Sequence, residues 1–210
     1  SARGSVRLRD LPAAMLAAAG APPLEGTIAA EIDVAGTGAE PRLRFALRAD
    51  ALVYVGAAGE EVPPVDLNLE GTLAGGRLES TATVSGLAEK PVSASATLPV
   101  LLTLAPFQAV LDQSRPLRAR LVLDGEVSRL VPRHLLDERR LTGAMRGELR
   151  LGGTLAAPRF AGSLRLDGGA YDDAVTGMTL RDITLEVTGR EREIVVERLT
   201  ANDGARGTLD

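Results

Sequence analysis

The residues able to do acid–base or metal chemistry are few and badly placed for it. His134 is the single histidine, set beside Leu135 and Leu136. A nucleophilic triad needs a base next to a nucleophile, yet the chain has no cysteine and no Gly-x-Ser-x-Gly elbow. Asp167-Gly168-Gly169 and Asp172-Asp173 put acidic shoulders on a glycine-rich stretch, where a calcium loop would be sought. Their spacing is not that of an EF-hand, so a glycine-rich hairpin is expected, with no metal and no cofactor. Gly152-Gly153 and Gly168-Gly169 precede strand-like sequence, so the phosphate cradle of a helix start is missing. The other carboxylates alternate with arginine, the pattern of cross-strand charge pairing. The chain reads as a non-enzyme.

Composition narrows the class further. The 210 residues permit one elongated domain with a sizeable core. Apolar residues make up 45%, but the only aromatics are Phe45, Tyr54, Phe107, Phe160 and Tyr171. The apolar side is therefore aliphatic. With 23 glycines placed where larger side chains would serve a packed core, unfilled space is expected there. Net charge is −4, and no basic stripe is interleaved with aromatics, which argues against nucleic acid as a partner. No apolar run is long enough to span a bilayer as a helix.

Alternation with period two dominates, predicting antiparallel strands with one wet face. Ile28, Ala30, Ile32 and Val34 share a side, as do Leu43, Phe45, Leu47 and Ala49. Leu67 and Leu69 follow, then Val84, Leu98 and Leu121. The last third continues with Leu149 and Leu151, then Phe160, Leu164 and Leu166, then Leu180 and Leu185. Turns are predicted at Gly36-Thr37-Gly38, Gly75-Gly76, Asp124-Gly125, Gly168-Gly169, Thr188-Gly189-Arg190 and Asp203-Gly204. Asp10 to Gly20 is predicted as a helix capped by Asp10, with Leu11, Met15 and Leu16 laid on the apolar side. Val127 to Leu136 is a second helix candidate, and Leu104 to Asp112 fits a strand or a short helix.

The strands carry a recurring phrase. Gly-Thr-Leu/Ile occurs at Gly26-Thr27-Ile28, Gly71-Thr72-Leu73, Gly153-Thr154-Leu155 and Gly207-Thr208-Leu209, as in a sheet built one rung at a time. The fullest copy runs Gly153-Thr154-Leu155-Ala156-Ala157-Pro158-Arg159-Phe160-Ala161-Gly162 and on through Leu164-Arg165-Leu166-Asp167-Gly168-Gly169-Ala170-Tyr171. With Gly177 to Leu185 and Ala201 to Gly207, this stretch resembles the TamB family. The likeness covers residues 90–210 well and 1–89 loosely.

The resemblance implies an AsmA-like, Gram-negative periplasmic protein held in the inner membrane by a segment outside these residues. It implies a β-taco: a long sheet curled into a groove whose aliphatic lining conducts phospholipid between membranes. It also implies an Omp85-type outer-membrane partner (TamA-like), engaged by the full-length protein. Both chain ends read as strands, so 1–210 is expected to be a single elongated β-groove fragment. The residues point the same way on their own. Roughly twelve strands at about 4.8 Å would give a strip of about 55–60 Å. The expected lining is Ile28, Ile32, Leu43, Phe45, Leu47, Leu67, Leu69, Val84, Leu98, Leu121, Leu149, Leu151, Phe160, Leu164, Leu166, Leu180 and Leu185, with acyl chains as the ligand. The alternative is a chaperone-like envelope module that binds apolar β-strands during outer-membrane protein or autotransporter assembly.

Overall fold

The structure is a computed structural model and describes residues 2–15, 24–54, 64–130, 139–191, 193–204 and 207–209. The chain is all-β. Its strands are β1 (Ala2–Pro12), β2 (Leu24–Gly36), β3 (Pro41–Tyr54), β4 (Val65–Ala74), β5 (Arg77–Ser85), β6 (Val92–Leu98), β7 (Val100–Leu104), β8 (Phe107–Leu111), β9 (Arg118–Glu126), β10 (Arg139–Gly153), β11 (Pro158–Asp173), β12 (Thr179–Glu191), β13 (Glu193–Asn202) and β14 (Thr208–Leu209). One short helix, α1 (Val127–Leu130), follows β9. Twelve strands form an open antiparallel sheet in the order β1-β2-β3-β4-β5-β6-β9-β10-β11-β12-β13-β14, and β7 and β8 pair separately. The chain packs as two compact units, the first made of residues 1–86, 93–119 and 153–157, the second of 87–92, 120–152 and 158–210.

Alternation produces this architecture because an antiparallel strand with one wet face needs an apolar residue at every second position. In β4 and β5 the exposure alternates residue by residue with the sequence. The alternation is interrupted at bulges. In the first unit, register shifts fall between Leu8 and Leu11, Glu25 and Thr27, and Ala49 and Leu52, on three adjacent strands. Asp10 (φ 52°), Gly26 (φ 120°) and Ala51 (φ 51°) take the positive φ that such bulges require. The orphaned Ala51 amide donates to Asp66 Oδ1 at 2.9 Å. In the second unit the shifts flank Gly168 (φ 58°) and Asp182 (φ 52°). An extra residue bends each strand locally, so both units carry a row of bends.

Several expectations change. Asp10 does not cap a helix: β1 runs through it to Pro12, and a 3₁₀ turn at 13–15 follows. The rest of that predicted helix, Leu16 included, lies outside the described residues. Asp124-Gly125 belongs to β9, Gly168-Gly169 to β11 and Thr188-Gly189-Arg190 to β12, so none of the three is a turn. The predicted turns at 36–38, 75–76 and 203–204 do connect strands. The Leu104–Asp112 stretch resolves into strand β8, paired with β7 around Ala105-Pro106. The Val127 helix is present to Leu130, and its continuation with His134 lies outside the described residues.

Candidate functional site

Residues paired across an antiparallel ladder share a face, so register sorts the first unit's side chains. One face holds four files running across β1 to β5. They are Gly4-Val34-Leu43-Leu73-Leu78, Val6-Ile32-Phe45-Gly71-Ser80, Leu8-Ala30-Leu47-Leu69-Ala82 and Leu11-Ile28-Ala49-Leu67-Val84. Ser80 is the single polar side chain among them. Ala13, from the 3₁₀ turn, packs against Ile28 and Ala49 and buries that end of the face. Met15, predicted to lie there, is exposed instead. Away from Ala13 Leu73 is buried too, while Val6, Leu8 and Ile32 are exposed.

The second unit repeats the arrangement. Leu164-Val187-Val196 and Leu166-Leu185-Leu199 are files across β11, β12 and β13. Val127 of α1 buries one part of the face together with Leu166, Ile183 and Ala201, with Leu141, Met145, Tyr171, Leu180 and Leu185 around them. Leu149, Phe160, Ile194 and Val196 are exposed, Ile194 to 78%. In each unit a single short turn or helix covers part of an aliphatic face.

Some glycines on these faces are covered by their neighbours, while at Gly4 nothing lies within 4 Å of an added Cβ. A methyl group at Gly71 would stand 2.6 Å from Cζ of Phe45, and one at Gly147 would stand 2.8 Å from Cδ1 of Leu164. At Gly143 and Gly169 the obstructing side chain is Leu166, at 3.0 Å and 2.9 Å. The expectation of unfilled space at glycine is thus corrected at Gly71, Gly143, Gly147 and Gly169, whereas the space at Gly4 is open. Large side chains lie across adjacent glycines and make the surface smooth.

The opposite faces are charged and largely self-paired. Arg7 Nε donates to Glu31 at 2.7 Å and Arg48 Nε to Asp50 at 2.9 Å. Arg120 and Arg150 both bond Glu148, and the hydrogen bond from Arg120 does most to hold its carboxyl down at about 2. Lys90, then Arg146, lowers Asp124 below the ordinary carboxylate range. In the first unit a depression of about 320 Å³ opens on this charged side. It lies between the files Arg7-Glu31-Ala46-Glu70-Thr81 and Ala29-Arg48-Asn68-Thr83, where Ala46 and Ala29 are short.

The acidic shoulders hold protein groups. Asp167 accepts from Arg165, and Asp172 from Arg181. Asp173, 6% exposed, accepts from the amides of Thr176 and Val175, which with Arg139 keep its carboxyl low. Among the described residues no cluster of three acidic, histidine or cysteine side chains could hold a metal ion. No described helix is long and apolar enough to cross a membrane.

Known proteins offer no anchor. No family model, curated protein or solved structure matches this chain.

Of the expected lining, Ile28, Ile32, Leu43, Phe45, Leu47, Leu67, Leu69 and Val84 stand together on the first unit's apolar face. Leu98 is half-buried in β6 of the same unit. In the second unit Leu164, Leu166 and Leu185 share registered files and Leu180 pairs with Tyr171. Leu121 and Leu151 are half-buried on β9 and β10, whereas Leu149 and Phe160 stand exposed. Val6, Leu8, Val187 and Val196 extend the faces beyond the expected set. The same alternation marks them, at strands nearer the sheet edges. Ala13 and Val127 carry no such mark, because they reach the faces from outside the strands.

Proposed function

We propose that the chain is a segment of a periplasmic lipid conduit of the TamB type, its aliphatic faces carrying phospholipid acyl chains between the membranes of a Gram-negative envelope. The observation behind this reading is the pairing of four uncharged files across five strands, with one bulge between Leu8 and Leu11. Five strands span about 19 Å from first to last, close to the length of an extended membrane acyl chain. Each buried methylene contributes about 0.8 kcal/mol, so a file retains a chain without any polar contact. Headgroups stay in water, so selectivity among headgroups is low. An Omp85-type outer-membrane protein is the proposed partner of the full-length protein.

One observation favours the second reading, strand capture during outer-membrane protein assembly. Among the described residues, β13 pairs beyond β12 at Ala201 and Asn202, with β14. Along the rest of β13, Ile194 and Val196 are exposed apolar side chains.

The test is the lipid content of the purified chain by mass spectrometry, with photo-crosslinkers at positions 164 and 165. Lipid captured at Leu164 but not at Arg165, on the opposite face, supports conduction. Capture of peptide in place of lipid supports the second reading. Equal lipid capture at both positions, or none, removes the conduit assignment.

A further inference from the structure

The hairpin β7–β8 departs from the rest of the chain in composition. From Pro91 to Leu111 there is not one charged residue, the longest such run in a chain that is 25% charged. The hairpin stands apart from the twelve-stranded sheet. It is tied to the first unit at its tip and flank. Leu104 N donates to Gly38 O at 2.7 Å, and Leu101 reaches the Gly75-Gly76 turn.

Its apolar residues are exposed on both sides. Register puts Leu101 and Val110 on one face, and Leu104, Phe107 and Leu111 on the other. Phe107 is 73% exposed, Val110 54% and Leu101 48%. A protein groove would cover one face of a hairpin and leave the other in water. Apolar residues on both faces suit immersion in an apolar medium. The tip makes that tolerable, because the Thr103 hydroxyl donates to Pro106 O at 2.8 Å and satisfies a polar group there. Behind the hairpin come Arg115, whose charge helps to lower the carboxyl of Asp112 after the hydrogen bonds from Ser114, and Arg118.

We propose that the β7–β8 hairpin inserts its tip into the surface of a lipid bilayer, with Phe107 and Leu104 entering the acyl boundary and Arg115 and Arg118 meeting anionic headgroups. Insertion is shallow. The open edges of a two-stranded hairpin leave amides and carbonyls that hydrocarbon cannot satisfy, and interfacial elements enter only about 5–10 Å. Membrane contact by this hairpin is separate from acyl-chain carriage on the sheet face and does not require it.

The chain has no tryptophan, so Phe107→Trp supplies a single reporter. The whole chain carrying F107W is mixed with vesicles of phosphatidylcholine and phosphatidylglycerol. The expected result is a blue-shifted emission, quenched by brominated acyl chains. In flotation with the same vesicles, Phe107→Asp should bind about tenfold less or weaker still. The side chain is exposed, so circular dichroism of this variant should match the parent. Arg115→Gln with Arg118→Gln should weaken binding only to the phosphatidylglycerol-containing vesicles. Absence of flotation, or of the blue shift, overturns the proposal. Flotation by F107D equal to the parent also overturns it, and assigns the contact to the sheet face, leaving lipid carriage standing.

Discussion

The ring of Phe45 lies over Gly71, its registered partner on the next strand, so that a Cβ at Gly71 would fall 2.6 Å from Cζ. The carbonyl oxygen of Glu79 would crowd the same atom at 2.7 Å. Gly71 is therefore glycine for space, and its φ is not positive. Gly71→Ala is expected to destabilise the first unit by about 1–3 kcal/mol, the usual cost of overpacking. Thermal or urea unfolding measures it. Adding Phe45→Ala should not restore the loss, because the backbone oxygen stays in place.

Gly168 is glycine for the opposite reason. Its φ is 58° and nothing lies within 4 Å of an added Cβ. Asparagine visits that left-handed region readily. Gly168→Asn is expected to change stability by less than about 1 kcal/mol, whereas Gly168→Val should cost more through backbone strain alone. Comparing the two unfolding midpoints separates strain from crowding.

The second unit's face has a buried part and an open part. Leu166 is 5% exposed beneath Val127, while Leu149 is 45% exposed. Leu166→Ala should cost about 2–5 kcal/mol by leaving a cavity. Leu149→Ala should cost under about 1 kcal/mol, as at surface sites generally. If lipid occupies the open part, Leu149→Ala should instead lower the amount of co-purified phospholipid, measured by mass spectrometry.

Acid should unpick the charged face at Glu148. Its carboxyl, ordinarily near 4.5, is held at about 2 by Arg120 and Arg150. A folded-state value below the unfolded one gives stability that is fully present above about 4.5 and lost as pH falls towards about 2. Asp124 and Asp173 are lowered too, so the parent's curve sums several groups. The measurement is the difference in unfolding midpoint between the parent and Glu148→Gln. That difference should shrink from pH 5 to pH 2. A difference independent of pH would show that the pair contributes nothing through its charge.

The alternation of apolar and polar residues determined the strands, the aliphatic sides and the charged sides, since the pleat alternates locally and needs no knowledge of the partner. Leu67 and Leu69 on β4 were legible for that reason. Sequence alone could not tell a turn from a bulge. Gly168-Gly169, Asp124-Gly125 and Thr188-Gly189 have turn composition, yet each lies inside a strand. The positive φ of Gly168 serves a hairpin or a bulge equally, and the ladder on either side decides which, while Gly125 and Gly189 sit in their strands without positive φ. Asp10 misled for a related reason. The short polar side chain that caps helices also tolerates the left-handed bulge of β1. Register belongs to tertiary structure as well. That Phe45 covers Gly71, that Leu166 crosses Gly143 and Gly169, and that Ala13 and Val127 close parts of the two faces all follow from which strands become neighbours. No local pattern encodes these contacts, because the residues meet only after the intervening chain has paired.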